Sequence, residues 1–103
     1  MKAIHRIVLA CSASAALTAI PATAADSPTA GRDLAATCAN CHGTDGKARS
    51  GAAVLAGLPR DRIVTTMRLF RDGQKSATIM HQIAKGYTPA QIELIADYFA
   101  AVK

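Results

Sequence analysis

Of the 103 residues in this chain, the five of Cys38-Ala39-Asn40-Cys41-His42 restrict its possible folds most. Two thiols three positions apart fall on one side of a helical turn, and an imidazole follows the second directly. Both sulfurs can then add across the vinyl groups on one edge of a single haem, forming thioethers. His42 lies beneath the iron and offers a ring nitrogen as the proximal ligand. The order Cys, Cys, His is part of the signal. A macrocycle fixed in this way must be enclosed, so the spacing predicts that everything downstream wraps one covalent haem c.

Other uses of these residues run short of partners. A structural zinc site takes four protein ligands, and with the N-terminal segment set aside only Cys38, Cys41, His42 and His81 remain, without paired spacing. A thioredoxin-like dithiol needs strands of a βαβ pattern around it, and none is evident. A plain disulfide leaves His42 without a role.

Residues 1–24 open with Lys2 and Arg6, continue with an apolar run over 7–20, and end on Ala22-Thr23-Ala24. This is the pattern of a secretory signal peptide cleaved after Ala24. It is too short and too interrupted for a membrane span, which takes ~20 mostly apolar residues. Val8-Leu9-Ala10-Cys11 has the look of a lipoprotein cleavage site, but it leaves only residues 7–10 as the apolar region, against the usual ~7–15. Cys11 therefore departs with the signal, and both remaining cysteines belong to the haem motif. The expected address is the periplasm, without stable membrane insertion. Residues 25–30 form a short mobile leader, and 31–103 a single domain.

A domain of this size has a marginal core of its own. A buried haem adds apolar surface for the chain to collapse on, so the chain without haem is expected to fold poorly. Losing Lys2 and Arg6 takes two from the formal charge of +5, and two ionised haem propionates take two more. That balance does not suit nucleic acid, and no basic run or aromatic interleaving accompanies it. Arg60, Arg62, Arg68, Arg71 and Lys75 lie close together in sequence. They make either a positive rim for an acidic partner or, as such runs more often do, a solvated helix face.

Along the domain, a first helix begins near Thr29 or Gly31 and runs into the motif, with Leu34, Ala35 and Cys38 on one face. Gly31 either permits a close helix crossing or is a simple turn residue. Residues 43–59 are rich in Gly, Ala and turn formers and read as irregular backbone, from which some carbonyl can accept the second ring N–H of His42. Residues 61–72 are helical by period, with Ile63, Val64, Met67 and Phe70 as the apolar stripe and Gly73 just past the end. A shorter helical piece is expected over 76–85, ending at Gly86. Thr88-Pro89-Ala90-Gln91 is a capping box with proline at the first helical position, and it opens a helix to about Val102 whose inner face carries Ile92, Ile95, Ala96 and Phe99.

The iron's sixth position has four candidates: Met67, Met80, His81 and Lys85. Met67 sits inside a regular apolar stripe, where methionine usually fills a core. Met80 is the expected ligand. It stands far enough beyond His42 for the chain to cross to the opposite haem face, and His81 would then point elsewhere. A His/Met pair raises the haem potential and occupies both axial positions, which suits electron transfer rather than oxygen chemistry.

The run from Cys38 to Gly46, with Gly31 upstream and Ile95 to Tyr98 in the last helix, resembles a class I cytochrome c. Ser76 to Met80, then Ile83 to Tyr87 and Ile92 to Phe99, are similar to the haem domains of the cytochrome subunit of flavocytochrome c sulfide dehydrogenase, and to single domains of two-haem periplasmic cytochromes. The resemblance implies an all-α domain with three main helices around one haem, thioethers at Cys38 and Cys41, and His42 and Met80 as axial iron ligands. In the family a proline after the motif supplies the carbonyl that receives the bond from the proximal histidine. The run here is Ala53-Val54-Leu55-Ala56-Gly57, which keeps the carbonyl and loses the ring.

The function expected from this resemblance is single-electron transfer, with an FAD-containing sulfide dehydrogenase subunit as donor and the catalysis in that partner. The rivals are a freely diffusing monohaem carrier between respiratory complexes and, from another class, a thiol-disulfide oxidoreductase using Cys38 and Cys41.

Overall fold

The structure, a computed structural model, describes residues 27–49 and 51–103. Residues 1–24, expected to be a signal peptide, and the first two residues of the expected leader lie outside the described residues. Ser27, Pro28 and Thr29 form the turn into the first helix, where the Ala30 amide donates to the Ser27 carbonyl at 3.0 Å and the Thr29 hydroxyl donates to Asp33 at 2.7 Å. Helix α1 (Ala30–Ala35) passes through a 3-10 turn (Ala36–Cys38) into α2 (Ala39–His42). Both thiols and the imidazole thus share one nearly continuous helical run, as their spacing requires.

Gly43, Asp45 and Gly46 then take φ of 77°, 54° and 74°, which turns the chain sharply away from the motif. Gly46 has two reasons to lack a side chain. Its φ lies in the left-handed region, and a Cβ there would stand 2.8 Å from Leu55 Cβ and 2.9 Å from the Phe99 ring. Its carbonyl accepts the amides of Leu55 and Ala56 at 2.8 and 3.2 Å. The loop that follows is thereby folded back under the motif.

Helix α3 (Arg60–Arg71) starts and stops one residue before the span predicted from its period, with Gly73 beyond it at φ 70°. Helix α5 (Pro89–Ala101) opens on the expected capping box: the Gln91 amide donates to Thr88 Oγ1 at 3.2 Å and the Thr88 amide donates to Gln91 Oε1 at 2.9 Å. Ile92, Ile95, Ala96 and Phe99 of α5 are buried against Ile63, Val64 and Met67 of α3 and Ala35 of α1. These residues recur at i, i+3, i+4 and i+7, the period that puts them on one helix face. The α1–α2 run, α3 and α5 are the three main helices, and no strand occurs among the described residues.

Gly31 marks a close crossing. A Cβ at this position would lie 2.6 Å from the Leu94 carbonyl oxygen of α5, well inside contact distance. The alternative of a mere turn residue is set aside.

One helical expectation needs correction. Residues 76–79 are not helical; α4 is only Met80–Ile83, continued by a 3-10 turn over Ala84–Gly86. Ser76 and Thr78 are poor helix formers whose hydroxyls compete for backbone bonds, and no apolar period spans 76–79 to anchor a helix by burial. Ile79, at φ −137°, is still outside the helix.

The arginines of α3 also divide in a way the sequence does not show. Arg60 pairs with Glu93 and, at 2.6 Å, with Asp97, both on α5, while Arg68 pairs with Glu93 at 2.6 Å. The bond to Asp97 is the first cause holding the Arg60 guanidinium above its ordinary pKa. Arg71 lies 3.4 Å from Asp72. Three of the five cations proposed for a common rim are thus paired within the fold.

Candidate haem site

The helices leave a cavity of about 690 Å³ between the α1–α2 run, the 52–58 loop, α3 and the 78–87 segment. Its size is that of a cofactor site. Cys38, Cys41 and His42 of the α1–α2 run line it, and so does Met80 of the 78–87 segment. Met67 reaches the cavity as well, but from within the buried core of α3. His81 and Lys85 are not among the lining residues. His81 Nδ1 is buried without a hydrogen-bond partner among the described residues.

His42 Nδ1 stands 2.7 Å from the Ala53 carbonyl oxygen. A carbonyl only accepts, so Nδ1 carries the proton and the lone pair is left on Nε2, the nitrogen a metal would take. Ala53 can do this without a proline ring because its loop is already tied to Gly46 through Leu55 and Ala56, and to α5 through the Gly57 amide on the Phe99 carbonyl at 2.9 Å. Rigidity supplied by proline elsewhere comes here from backbone hydrogen bonds.

Neither cysteine is in a disulfide. Burial is the main cause pushing the Cys38 thiol above its ordinary pKa. A reactive thiolate is favoured by the opposite shift, which counts against Cys38 as a thiol-disulfide nucleophile. The zinc reading finds no group of three or more His, Cys, Asp or Glu positioned for a metal among the described residues.

A flat apolar macrocycle fits what lines the cavity. Among the described residues, Val54, Ile79 and Ile83 are the exposed large aliphatic side chains, and the last two face the cavity, where an apolar plane would cover them. Among the described residues, no carboxylate lines the cavity, and its charged lining consists of Arg62 and Lys75. Sequence reasoning missed two contributors, Thr37 and Tyr87, whose hydroxyls meet at 2.7 Å. They are 50 positions apart, and no local pattern links them.

A small helical protein with two thiols, an oriented imidazole and a thioether around one apolar slot is a protein built to hold haem covalently. The chain is 42% identical over 69 residues to the cytochrome subunit of sulfide dehydrogenase of Chlorobaculum tepidum, covering 67% of this chain and 63% of that one. It is 32% identical over 101 residues to the thiosulfate dehydrogenase electron acceptor of Thiomonas intermedia, covering 96% and 45%. With cytochrome c-554(548) of Halomonas halodenitrificans it shares 33% identity over 76 residues, which is 70% of this chain and 92% of the relative. The chain belongs to the cytochrome c family, and its cofactor is covalently bound haem c. It spans less than two thirds of the length of the first two relatives. No protein-family model matches the chain.

Proposed function

We propose that this chain carries single electrons in the periplasm, taking them from a sulfide-oxidising, FAD-containing flavoprotein subunit and passing them to a further carrier. Haem supplies an iron that takes up and releases one electron. Cys38 and Cys41 would hold the macrocycle by thioether bonds, His42 would offer Nε2 to the iron, and Met80 would offer its sulfur. The observation that supports this reading is that Cys38, Cys41, His42 and Met80 all line one largely apolar cavity. With haem bound, His42 and Met80 would be the side chains to hold its iron, and an iron held by imidazole and thioether would be suited to electron transfer rather than oxygen chemistry.

The donor is suggested by the relatives, one named as a subunit of sulfide dehydrogenase and another as the electron acceptor of thiosulfate dehydrogenase. The periplasmic address rests on the signal-like residues 1–24; among the described residues, no helix is long and apolar enough to cross a membrane. A second reading follows the cytochrome c-554(548) relative, 92% of whose length this chain covers. In it the protein diffuses freely between respiratory complexes.

Gentle purification of tagged protein from its native periplasm separates the two. Stoichiometric flavin co-eluting with haem, and haem reduction on adding sulfide, supports the flavocytochrome subunit. Haem alone, unresponsive to sulfide, overturns that partner and leaves the diffusing carrier.

A further inference from the structure

Arg62 occupies the first turn of α3, close to the positive end of the helix dipole, where a cation is disfavoured. Its neighbour Arg60 has the same problem and a visible compensation in Glu93, Asp97 and Asp61. Arg62 is in no ion pair among the described residues, and its side chain instead lines the haem cavity.

Lys75 is the other cation on that lining. It too has no acidic partner among the described residues, and its ammonium lies 5.8 Å from the centre of the Phe70 ring, itself part of the cavity wall. Its position is not left to a free loop. The amides of Gln74 and Lys75 donate to the Leu69 carbonyl at 2.8 and 3.1 Å, so the chain doubles back along the end of α3. Leu69 stands about two turns, ~10 Å, along the helix from Arg62. Two cations without an acidic partner among the described residues, on the lining of a largely apolar cavity, suit a ligand with two carboxylates projecting from one edge. Thr66 of α3 and Thr78, which line the same cavity, add hydroxyl donors.

We infer that Arg62 and Lys75 bind the two propionate carboxylates of the haem, one each, so that the α3 side of the cavity takes the anionic edge. This rests on the haem reading above and deepens it. The cysteines attach one edge of the macrocycle, and the two cations fix where its polar edge goes. They also place positive charge beside the iron's ring system, which disfavours the ferric form and raises the reduction potential.

The test compares Arg62→Gln and Lys75→Gln with Arg32→Gln, which removes the same charge from an exposed Arg32–Asp33 pair on α1. Each holoprotein is read by pyridine haemochrome for attached haem, by resonance Raman for the propionate bending band, and by redox titration. The expected result is full haem attachment in all of them, with a shifted propionate band and a lowered potential in the Arg62 and Lys75 variants only. Arg62→Lys should return most of the potential while leaving the band shifted, because it keeps charge and loses the planar fork. A propionate band unmoved in both variants, or an equal fall in potential in Arg32→Gln, would overturn the inference. Wild-type protein without thioether-attached haem would overturn the haem reading itself, and this inference with it.

Discussion

The hydroxyls of Thr37 and Tyr87 lie 2.7 Å apart, joining the residue before the first thioether cysteine to the end of the segment that carries Met80. Tyr87 also lines the haem cavity, so this bond closes the gap between the two walls the cofactor sits between. Tyr87→Phe keeps the ring and removes the bond. It should cost about 0.5–1.5 kcal/mol in denaturant unfolding of the holoprotein. Added imidazole should also displace the methionine from ferric haem more readily, seen as earlier loss of the methionine–iron charge-transfer band.

Met67 and Met80 both reach the cavity, and substitution should separate their roles. Met80→Ala is expected to leave a folded protein whose iron becomes high-spin or water-ligated with a lower potential. Met67→Ala should keep the native spectrum while losing about 2–5 kcal/mol of stability, since its side chain is core. Exchange of these two outcomes would move the sixth ligand to Met67.

At the crossing of α1 and α5 there is no room for a methyl group on Gly31. Gly31→Ala should destabilise the holoprotein by about 1–3 kcal/mol through overpacking against the Leu94 carbonyl, even though alanine favours a helix. Thermal or denaturant unfolding that showed no loss would mean the helices can part at little cost.

Asp33 is held below its ordinary carboxylate pKa of 3.8, first by the Thr29 hydroxyl and then by Arg32. A depressed folded-state value makes the contribution fully present above the unfolded value and lost as pH falls through the folded one. Thr29→Ala should therefore raise the Asp33 titration midpoint in carboxylate NMR and bring acid-induced fraying of α1 to higher pH. An unchanged midpoint would assign the shift to Arg32 alone.

The readable parts of this protein are those in which local chemistry decides. The motif announces its cofactor because thioether formation demands that spacing, and Thr88 to Gln91 announces a helix start because the reciprocal bonds lie within one turn. Ile92, Ile95, Ala96 and Phe99 announce a buried face by period alone. What stayed hidden depends on where distant segments meet. The five clustered cations look alike in sequence; only the packing of α3 on α5 shows that Arg60 and Arg68 face Glu93 while Arg62 and Lys75 face the cavity. The segment before Met80 reads as helix in sequence, because nothing local shows that residues 76–79 run as irregular backbone past the cavity.

The proximal imidazole is aimed by a main-chain oxygen at position 53, in a loop secured by other main-chain groups. Every amino acid brings that same oxygen, so the aim of His42 is largely indifferent to which side chain stands there. The opposite face has no such insurance, since its ligand is a side chain, Met80. Random substitution should therefore erode this haem site asymmetrically, with the aim of His42 surviving exchanges at position 53 and exchanges at Met80 registering as spectral change.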